Sequence, residues 1–240
     1  MAGHSKWANI KHRKGRADAA KGKAFSRIIK EIISAVKQGD PDPKTNPKLR
    51  LAIEKAKAAN MPNDTIERNI KKASSKDQSD YITLTYEFYG HGGVGIIVEA
   101  MTDNKNRTAS EMRIATNKRG GSIASPGAVV FNFDQKGVIE VAKKDAEEEA
   151  LFLLATEAGA EDFDQADDLF IITTAPDSLY EVRGNLEKEG IVCGETSLEM
   201  IPKVYVDCDE ETSRANEELI EWLENIDDVD TVFHNMAEKQ

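Results

Sequence analysis

Residues 81–101 read YITLTYEFYGHGGVGIIVEAM, and the fold class turns on how this stretch is taken. Ile82, Leu84, Tyr86 and Phe88 alternate with Thr83, Thr85 and Glu87, the two-residue period of a half-buried strand. Gly95 to Met101 is a second strand, and the glycines between the two runs suit a hairpin turn because glycine tolerates positive φ. Gly90-His91-Gly92-Gly93-Val94-Gly95 also matches the letters G-x-G-x-x-G. A dinucleotide site needs that loop to open a helix whose N-terminus faces pyrophosphate. Here the loop opens a strand, and no Lys-Ser or Lys-Thr follows as it would in a phosphate-binding loop. The stretch therefore reads as the start of a sheet.

Forward from it, Asn106 or Thr108 can cap a helix that runs to Gly120-Gly121, and Ala128 to Phe133 returns to strand, giving a ββαβ unit. From Gly137 the order becomes strand (Val138 to Val141), helix (Asp145 to Ala158), a short extended piece near Phe163, strand (Leu169 to Thr174), helix (Asp177 to Glu189) and strand (Glu195 to Ile201). That is the βαββαβ order of a ferredoxin-like module. Strand Val204 to Asp207, a helix from Glu210 to Asn225 and strand Val229 to His234 do not make a domain alone. They return to complete the sheet begun at Tyr81, so the ferredoxin-like module is an insertion.

Backward from residue 81, Ser74 to Asp80 is polar and reads as a linker. Before it lie three amphipathic helices. Phe25, Ile28, Ile29, Ile32 and Val36 share one face from Ala17 onward, leaving Lys23, Arg27, Lys30 and Lys37 mostly outside, and Gly39 with Asp40-Pro41 stops that helix. Asn46-Pro47 is an N-cap with proline at the first helical position, followed by Leu49, Ala52, Ile53 and Ala56. A short third helix starts near Asp64, with Glu67 imitating a capping box, and buries Ile66, Ile70 and Ala73. Met1 to Arg16 has no apolar period and reads as a basic arm. The fold class is thus multidomain α and α+β: a three-helix bundle followed by two α+β domains, the third ferredoxin-like and inserted in the second. The expected domains are 1–76, 81–135 with 203–240, and 136–202.

Charge divides the chain in the same way. Residues 1–76 hold 19 Lys and Arg against 7 Asp and Glu, a net of +12, and the remainder is at −23, so the overall −11 conceals the split. A cationic segment on an anionic body suits docking on phosphate through one part only, since Lys and Arg displace counterions condensed on nucleic acid. A Lys-rich solvated face is the competing explanation. The arm adds Trp7, His4 and His12 among Lys6, Lys11, Arg13, Lys14 and Arg16. Its rings can stack on exposed bases, or Trp7 can pack back on the bundle. One basic island interrupts the acidic body: Lys105, Arg107, Arg113, Lys118 and Arg119 around a single Glu111, a local net of +4 that offers a secondary phosphate contact.

Other chemistries find little support. Cys193 and Cys208 lack C-x-x-C spacing, suit a reducing cytosol and read as packing. The histidines at 4, 12, 91 and 234 form no i, i+4 pair, so no metal or other cofactor is expected. Asp167-Asp168 and Asp227-Asp228 sit among many carboxylates and read as solvated surface; no nucleophile, base and acid can be assembled. No apolar run reaches the length of a membrane span, and a cytoplasmic protein without membrane contact is expected. Leu169 to Thr174 lacks the exposed aromatics of an RNA-recognition domain, which leaves the acidic inserted module as a protein-facing or spacing element.

Ala2-Gly3-His4-Ser5-Lys6-Trp7, Asn9-Ile10-Lys11-His12-Arg13-Lys14, and then Asp18, Lys21, Lys23 and Phe25 resemble the N-terminal signature of the YebC family. The resemblance continues in Asn60-Met61-Pro62, Tyr89-Gly90, Gly92-Gly93, Asp103-Asn104, Asn106-Arg107-Thr108, Gly120-Gly121, Ile201-Pro202 and Asp227-Asp228-Val229, and departs at His91 and at Ser125-Pro126. It implies a non-enzymatic role. Members are described as probable DNA-binding transcriptional regulators, and relatives that include a mitochondrial translational activator act on the ribosome, helping it through sequences such as proline runs. Residues and resemblance together give Lys6, Trp7, Asn9, Lys11, His12, Arg13, Lys14, Arg16, Lys21, Lys23, Arg27 and Lys30 as candidate nucleic-acid contacts. The implied partner is DNA, or ribosomal or transfer RNA, with a protein partner for the acidic domains.

Overall fold

The computed structural model describes Trp7 and residues 21–74, 81–166 and 168–237. Helices α1 (Lys21–Gln38), α2 (Pro47–Ala58) and α3 (Asn63–Ala73) form the bundle. Its core gathers Ile28, Ile32, Ile33 and Val36 of α1 with Leu49, Ala52, Ala56, Met61, Ile66 and Ala73. Asn46 caps α2 as the sequence predicts, its Oδ1 accepting from the Leu49 N–H at 3.1 Å. Its Nδ2 also donates to the carbonyls of Ala35 and Asp40, which fixes the end of α1 against the start of α2. The expected capping box at α3 is absent: the helix starts at Asn63, and its N-cap is Pro62, whose ring offers no acceptor.

Two antiparallel four-stranded sheets follow. The first has the order β3-β1-β2-β8, from β1 (Ile82–Tyr89), β2 (Gly95–Thr102), β3 (Ser122–Ile123) and β8 (Val229–His234), with helices α4 (Lys105–Arg119) and α7 (Glu210–Glu224). The hairpin between β1 and β2 turns through Gly92 and Gly93 at φ 65° and 84°, the backbone freedom read from the sequence. Buried Asn216 of α7 clamps this turn, accepting from the His91 N–H at 2.8 Å and donating to the His91 carbonyl at 3.0 Å. The His91 ring reaches the Arg119 carbonyl at 2.8 Å, which requires its proton on Nε2. The alternation in β1 is real, but only its Phe88 end is fully buried; Ile82 stays exposed.

The second sheet has the order β5-β6-β4-β7, from β4 (Phe133–Ala142), β5 (Asp162–Ala166), β6 (Leu169–Thr174) and β7 (Cys193–Pro202), with helices α5 (Glu148–Ala158) and α6 (Leu179–Lys188) on one face. In sequence order within the module this is 4-1-3-2, the ferredoxin-like arrangement. Ile139, Val141, Phe170 and Ile172 meet Leu151, Ala155, Leu179, Val182 and Leu186 in its core. Because β8 returns to pair with β2, the module is inserted in the first α+β domain.

Three sequence expectations change. Ala128 to Phe133 is not a strand: the Glu87 carboxylate accepts from the N–H groups of Gly127 and Val129, holding a turn there, and a 3₁₀ turn covers Val130–Asn132. Phe133 instead opens β4, which runs unbroken through Gly137. A Cβ at Gly137 would overlap Leu179 and the Thr174 hydroxyl, so this glycine lets α6 approach the strand and does not mark a boundary. Val204 to Asp207 contributes a single bridge, Val206 to Met236, and no strand.

Asp228 overturns the solvated reading of Asp227-Asp228. It is 3 % exposed and accepts from Thr102 Oγ1 at 3.0 Å, Thr108 Oγ1 at 2.8 Å, and Arg107 Nε at 3.2 Å and Nη2 at 2.8 Å. Lys30 of α1 stands 3.9 Å from the same carboxylate and donates to the carbonyls of Asp227 (2.8 Å) and Met101 (3.2 Å). The bundle therefore belongs to the same compact unit as the first sheet, Cys208–His234 included; the ferredoxin-like residues Val130–Asp207 form the other unit, with Trp7 and the described end of the chain from Asn235. Of the expected linker Ser74 to Asp80, Ser74 is the C-cap of α3 and residues 75–80 lie outside the described residues. Burial opposes the Asp228 charge, but the hydrogen bonds from Arg107, Thr108 and Thr102 outweigh it and hold the carboxyl below its ordinary value. Replacing Asp228 by Ala is expected to cost about 3 kcal/mol in urea unfolding, the lower end for breaking a buried pair because Arg107 stays partly in water. The Asp228 contribution is present above the ordinary carboxylate pKa of about 3.9 and disappears as pH falls below it, so the parent and the Ala variant should converge in acid.

Candidate nucleic-acid interface

The cationic segment divides into side chains that the fold uses internally and side chains that it displays. The sequence pattern leaves Arg27 and Lys30 mostly outside the apolar face of the first helix. Both are half-buried instead. Arg27 donates to the Asp230 carbonyl at 3.4 Å and pairs with Glu31, while Lys30 is committed to the Asp227–Asp228 turn. An amphipathic helix has flanks as well as two faces, and these cations sit on the flank that meets β2 and β8.

The display is on α2 and α3, which sequence reasoning had not singled out. Residues 44–73 carry eight Lys and Arg against three Asp and Glu. Lys44, Arg50, Lys57, Arg68 and Lys71 are exposed and form no ion pair among the described residues. Arg50 and Lys57 are seven residues apart, two turns of one helix face, opposite the buried Leu49, Ala52 and Ala56. That spacing was visible in the sequence.

The basic island on α4 is also divided. Asn104 caps the helix, accepting from the N–H groups of Asn106 and Arg107, and Thr108, Met112 and Ala115 form its buried stripe. Arg107 is spent on Asp228 and Asp103. Arg119 pairs with Glu218 at 2.9 Å and lies over the Trp222 ring at 5.2 Å. Lys105, Arg113 and Lys118 remain exposed without an ion pair among the described residues, although they do not share one stripe. Burial first, then the neighbouring charge of Asp228, pushes the Glu111 carboxyl above its ordinary value, which weakens the island's only acid.

Trp7 is 3 % exposed and packs on Val138, Ile171 and Ile201 of the ferredoxin-like sheet. The physical reason is that the helices cover only one face of that sheet, and the apolar residues of the other face need a cover of their own. Lys6, Asn9, Lys11, His12, Arg13, Lys14 and Arg16 lie outside the described residues, as do the side chains of Lys21 and Lys23. Among the described residues no three His, Cys, Asp or Glu side chains converge as metal ligands, and no helix is long and apolar enough to cross a membrane. Burial pushes the Cys193 thiol up to about 11, which keeps it protonated and a poor nucleophile.

Comparison with known proteins agrees along the whole length. A family model described as the TACO1/YebC protein N-terminal domain matches residues 5–76, and one described as the TACO1/YebC second and third domain matches residues 81–236. A probable transcriptional regulatory protein of Protochlamydia amoebophila is 66 % identical over 236 residues, 98 % of this chain and 96 % of the relative. A probable transcriptional regulatory protein of Chlamydia pneumoniae is 60 % identical over 99 % of this chain and 100 % of its own. The crystal structure of a conserved hypothetical protein from Aquifex aeolicus superposes with a TM-score of 0.85 at 44 % identity, covering 98 % of this chain and 97 % of the other.

Where Arg27 and Lys30 dock, Asp230 has its carboxyl pushed up to about 6, chiefly by burial and against the pull of those two cations. A raised carboxyl binds a proton in the folded state that the unfolded state has released, so stability falls as pH rises from about 4, the ordinary value, toward the folded value. Asp230→Asn should therefore match the parent in urea midpoint near pH 4 and exceed it by a gap that opens up to pH 6 and stays constant above. A gap that does not change with pH would assign the effect to packing.

Proposed function

Because the chain belongs to the TACO1/YebC family, whose relatives are named as probable transcriptional regulators, we propose that it is a non-enzymatic regulator of gene expression that binds DNA through its cationic N-terminal region. The observation that carries this reading is the placement of charge. A segment of net +12 precedes a body of net −23, and within that segment Arg50, Lys57, Arg68 and Lys71 of α2 and α3 stand exposed without ion pairs among the described residues. Cations left unneutralised by the fold are the ones that gain most from replacing condensed counterions on a phosphate backbone. Lys105, Arg113 and Lys118 supply a secondary contact; Arg107 and Arg119 serve the fold first. Lys6, Lys11, Arg13, Lys14 and Arg16 add further positive charge to the same stretch of sequence. The acidic inserted domain would repel phosphate and is left to meet a protein. The site of action is the cytoplasm.

Among the described helices none carries Asn, Gln or Arg at successive base-facing positions, so contacts go mainly to the backbone and sequence preference is weak. The same observation favours a second reading, a translation factor that grips ribosomal or transfer RNA and relieves stalling, for example at proline runs, since structured RNA is recognised largely through shape and backbone.

Retardation of a duplex promoter fragment at increasing salt tests the first reading. Each phosphate contact contributes about 0.9 to the slope of log affinity against log salt, so R50A/K57A/K71A, and separately K11A/R13A/K14A, should each flatten it by about 2 to 3. Unchanged slopes in both would remove the N-terminal region from the account. Sedimentation beside ribosomal particles at physiological salt separates the two readings: co-migration with weak duplex retardation favours translation, and free migration with strong retardation favours DNA.

A further inference from the structure

The open face of the ferredoxin-like sheet carries more than its cover of one indole. Along β4 and β6, Ile139, Val141, Phe170 and Ile172 point to the helices, so Val138 and Ile171 point to the other side. Val138, Ile171 and Ile201 are nevertheless only 1 %, 3 % and 8 % exposed, because Trp7 lies on them, with Ala166 and Leu169 packed alongside. Strand register identifies the polar residues of the same face. Asp164 is opposite Ile171, Asp162 is opposite Thr173, and Asp134 is opposite Ile201. Glu140 is two residues beyond Val138, and Glu199 two before Ile201. Against five acids this set has one cation, Lys136, opposite Glu199, and Lys203 pairs with Asp134 at 3.3 Å, so the balance of the face stays negative. The face thus offers an apolar slot for a ring within a rim of carboxylates.

A flat slot surrounded by negative charge is also what a nucleic acid offers to a basic segment with an interleaved aromatic. The residue in the slot is Trp7, and its neighbours in sequence include Lys6, Lys11, Arg13 and Lys14. We propose that this face is a seat for the chain's own N-terminal segment, and that seating Trp7 there competes with the binding of that segment to phosphate. The proposal rests on the nucleic-acid reading above and deepens it. The carboxylate rim attracts the cations that flank Trp7 in sequence, and engagement with a nucleic acid requires Trp7 to leave the slot. Affinity is then reduced by the fraction of molecules that are seated, and weakening the rim raises it.

The chain has two tryptophans, Trp7 and Trp222, so Trp222→Phe makes Trp7 the sole indole reporter. Titrating this variant with a fluorescently labelled DNA duplex gives two independent readouts: anisotropy of the duplex reports binding, and the emission and acrylamide quenching of Trp7 report the seat. As the duplex saturates, Trp7 emission should change and its quenching constant should rise severalfold. In the same background Glu140→Gln with Asp164→Asn, two substitutions at the partly exposed rim, should tighten duplex binding by about five- to tenfold at low salt. Ile171→Ser provides a second way to weaken the seat if the rim variant misfolds. Binding by anisotropy with Trp7 emission and quenching unchanged would overturn the proposal while leaving the nucleic-acid reading intact. Binding by the rim variant and not by the parent would support it in its strongest form. Absence of binding by both, with Trp7 still shielded, would overturn the proposal and the DNA reading together.

Discussion

One buried carboxylate orders half of this molecule. Asp228 receives the hydroxyls of Thr102 and Thr108 and the fork of Arg107, and it stands close to the Lys30 ammonium. Those groups come from the end of β2, the first turns of α4 and the middle of α1, while Asp228 itself precedes β8. A charge removed from water is tolerated only when its lone pairs are filled, and here they are filled by elements distant in sequence. The return of the chain from the inserted module to the first sheet is thereby fixed, since the Asp228 carbonyl also accepts from the Met101 N–H at 2.8 Å. Two short motifs, Asp103 to Thr108 and Asp227 to Val229, turn out to be halves of one contact.

This arrangement also sorts the cations. Basic residues in the N-terminal region and on α4 look equivalent in composition, yet Lys30, Arg27, Arg107 and Arg119 are engaged by carbonyls, carboxylates or a ring of the first α+β domain. Among the described residues, Lys44, Arg50, Lys57, Arg68, Lys71, Lys105, Arg113 and Lys118 stand exposed without an ion pair. The first group secures the docking of helices on the sheet; the second supplies the charge available to a phosphate partner. A count of charges overstates the interface by including the first group.

The ferredoxin-like domain poses a different problem. Two helices cover only one face of a four-stranded sheet, and the apolar residues of the other face must be covered or remain a liability. Trp7 meets that need from more than a hundred residues away in sequence. An aromatic set among cations has two physical uses, stacking on a base and filling an apolar slot, and the slot is occupied here.

Much of the fold was legible because its signals are local. Helical period, the Asn46-Pro47 cap, the glycine hairpin and the βαββαβ order depend on neighbours within a few residues, and they determined three helices, two α+β domains and the insertion. The charge split is likewise a property of the sequence alone. What the sequence did not determine depends on distant partners. The turn at 127–129 is held by Glu87, the continuity of β4 through Gly137 is set by the close approach of α6, and the burial of Asp228 is decided by Arg107, Thr102 and Thr108. The fate of Trp7 belongs with these. Its ring is equally suited to a base or to a sheet, and only the tertiary structure, which leaves one face of that sheet without a helix, decided where it lies.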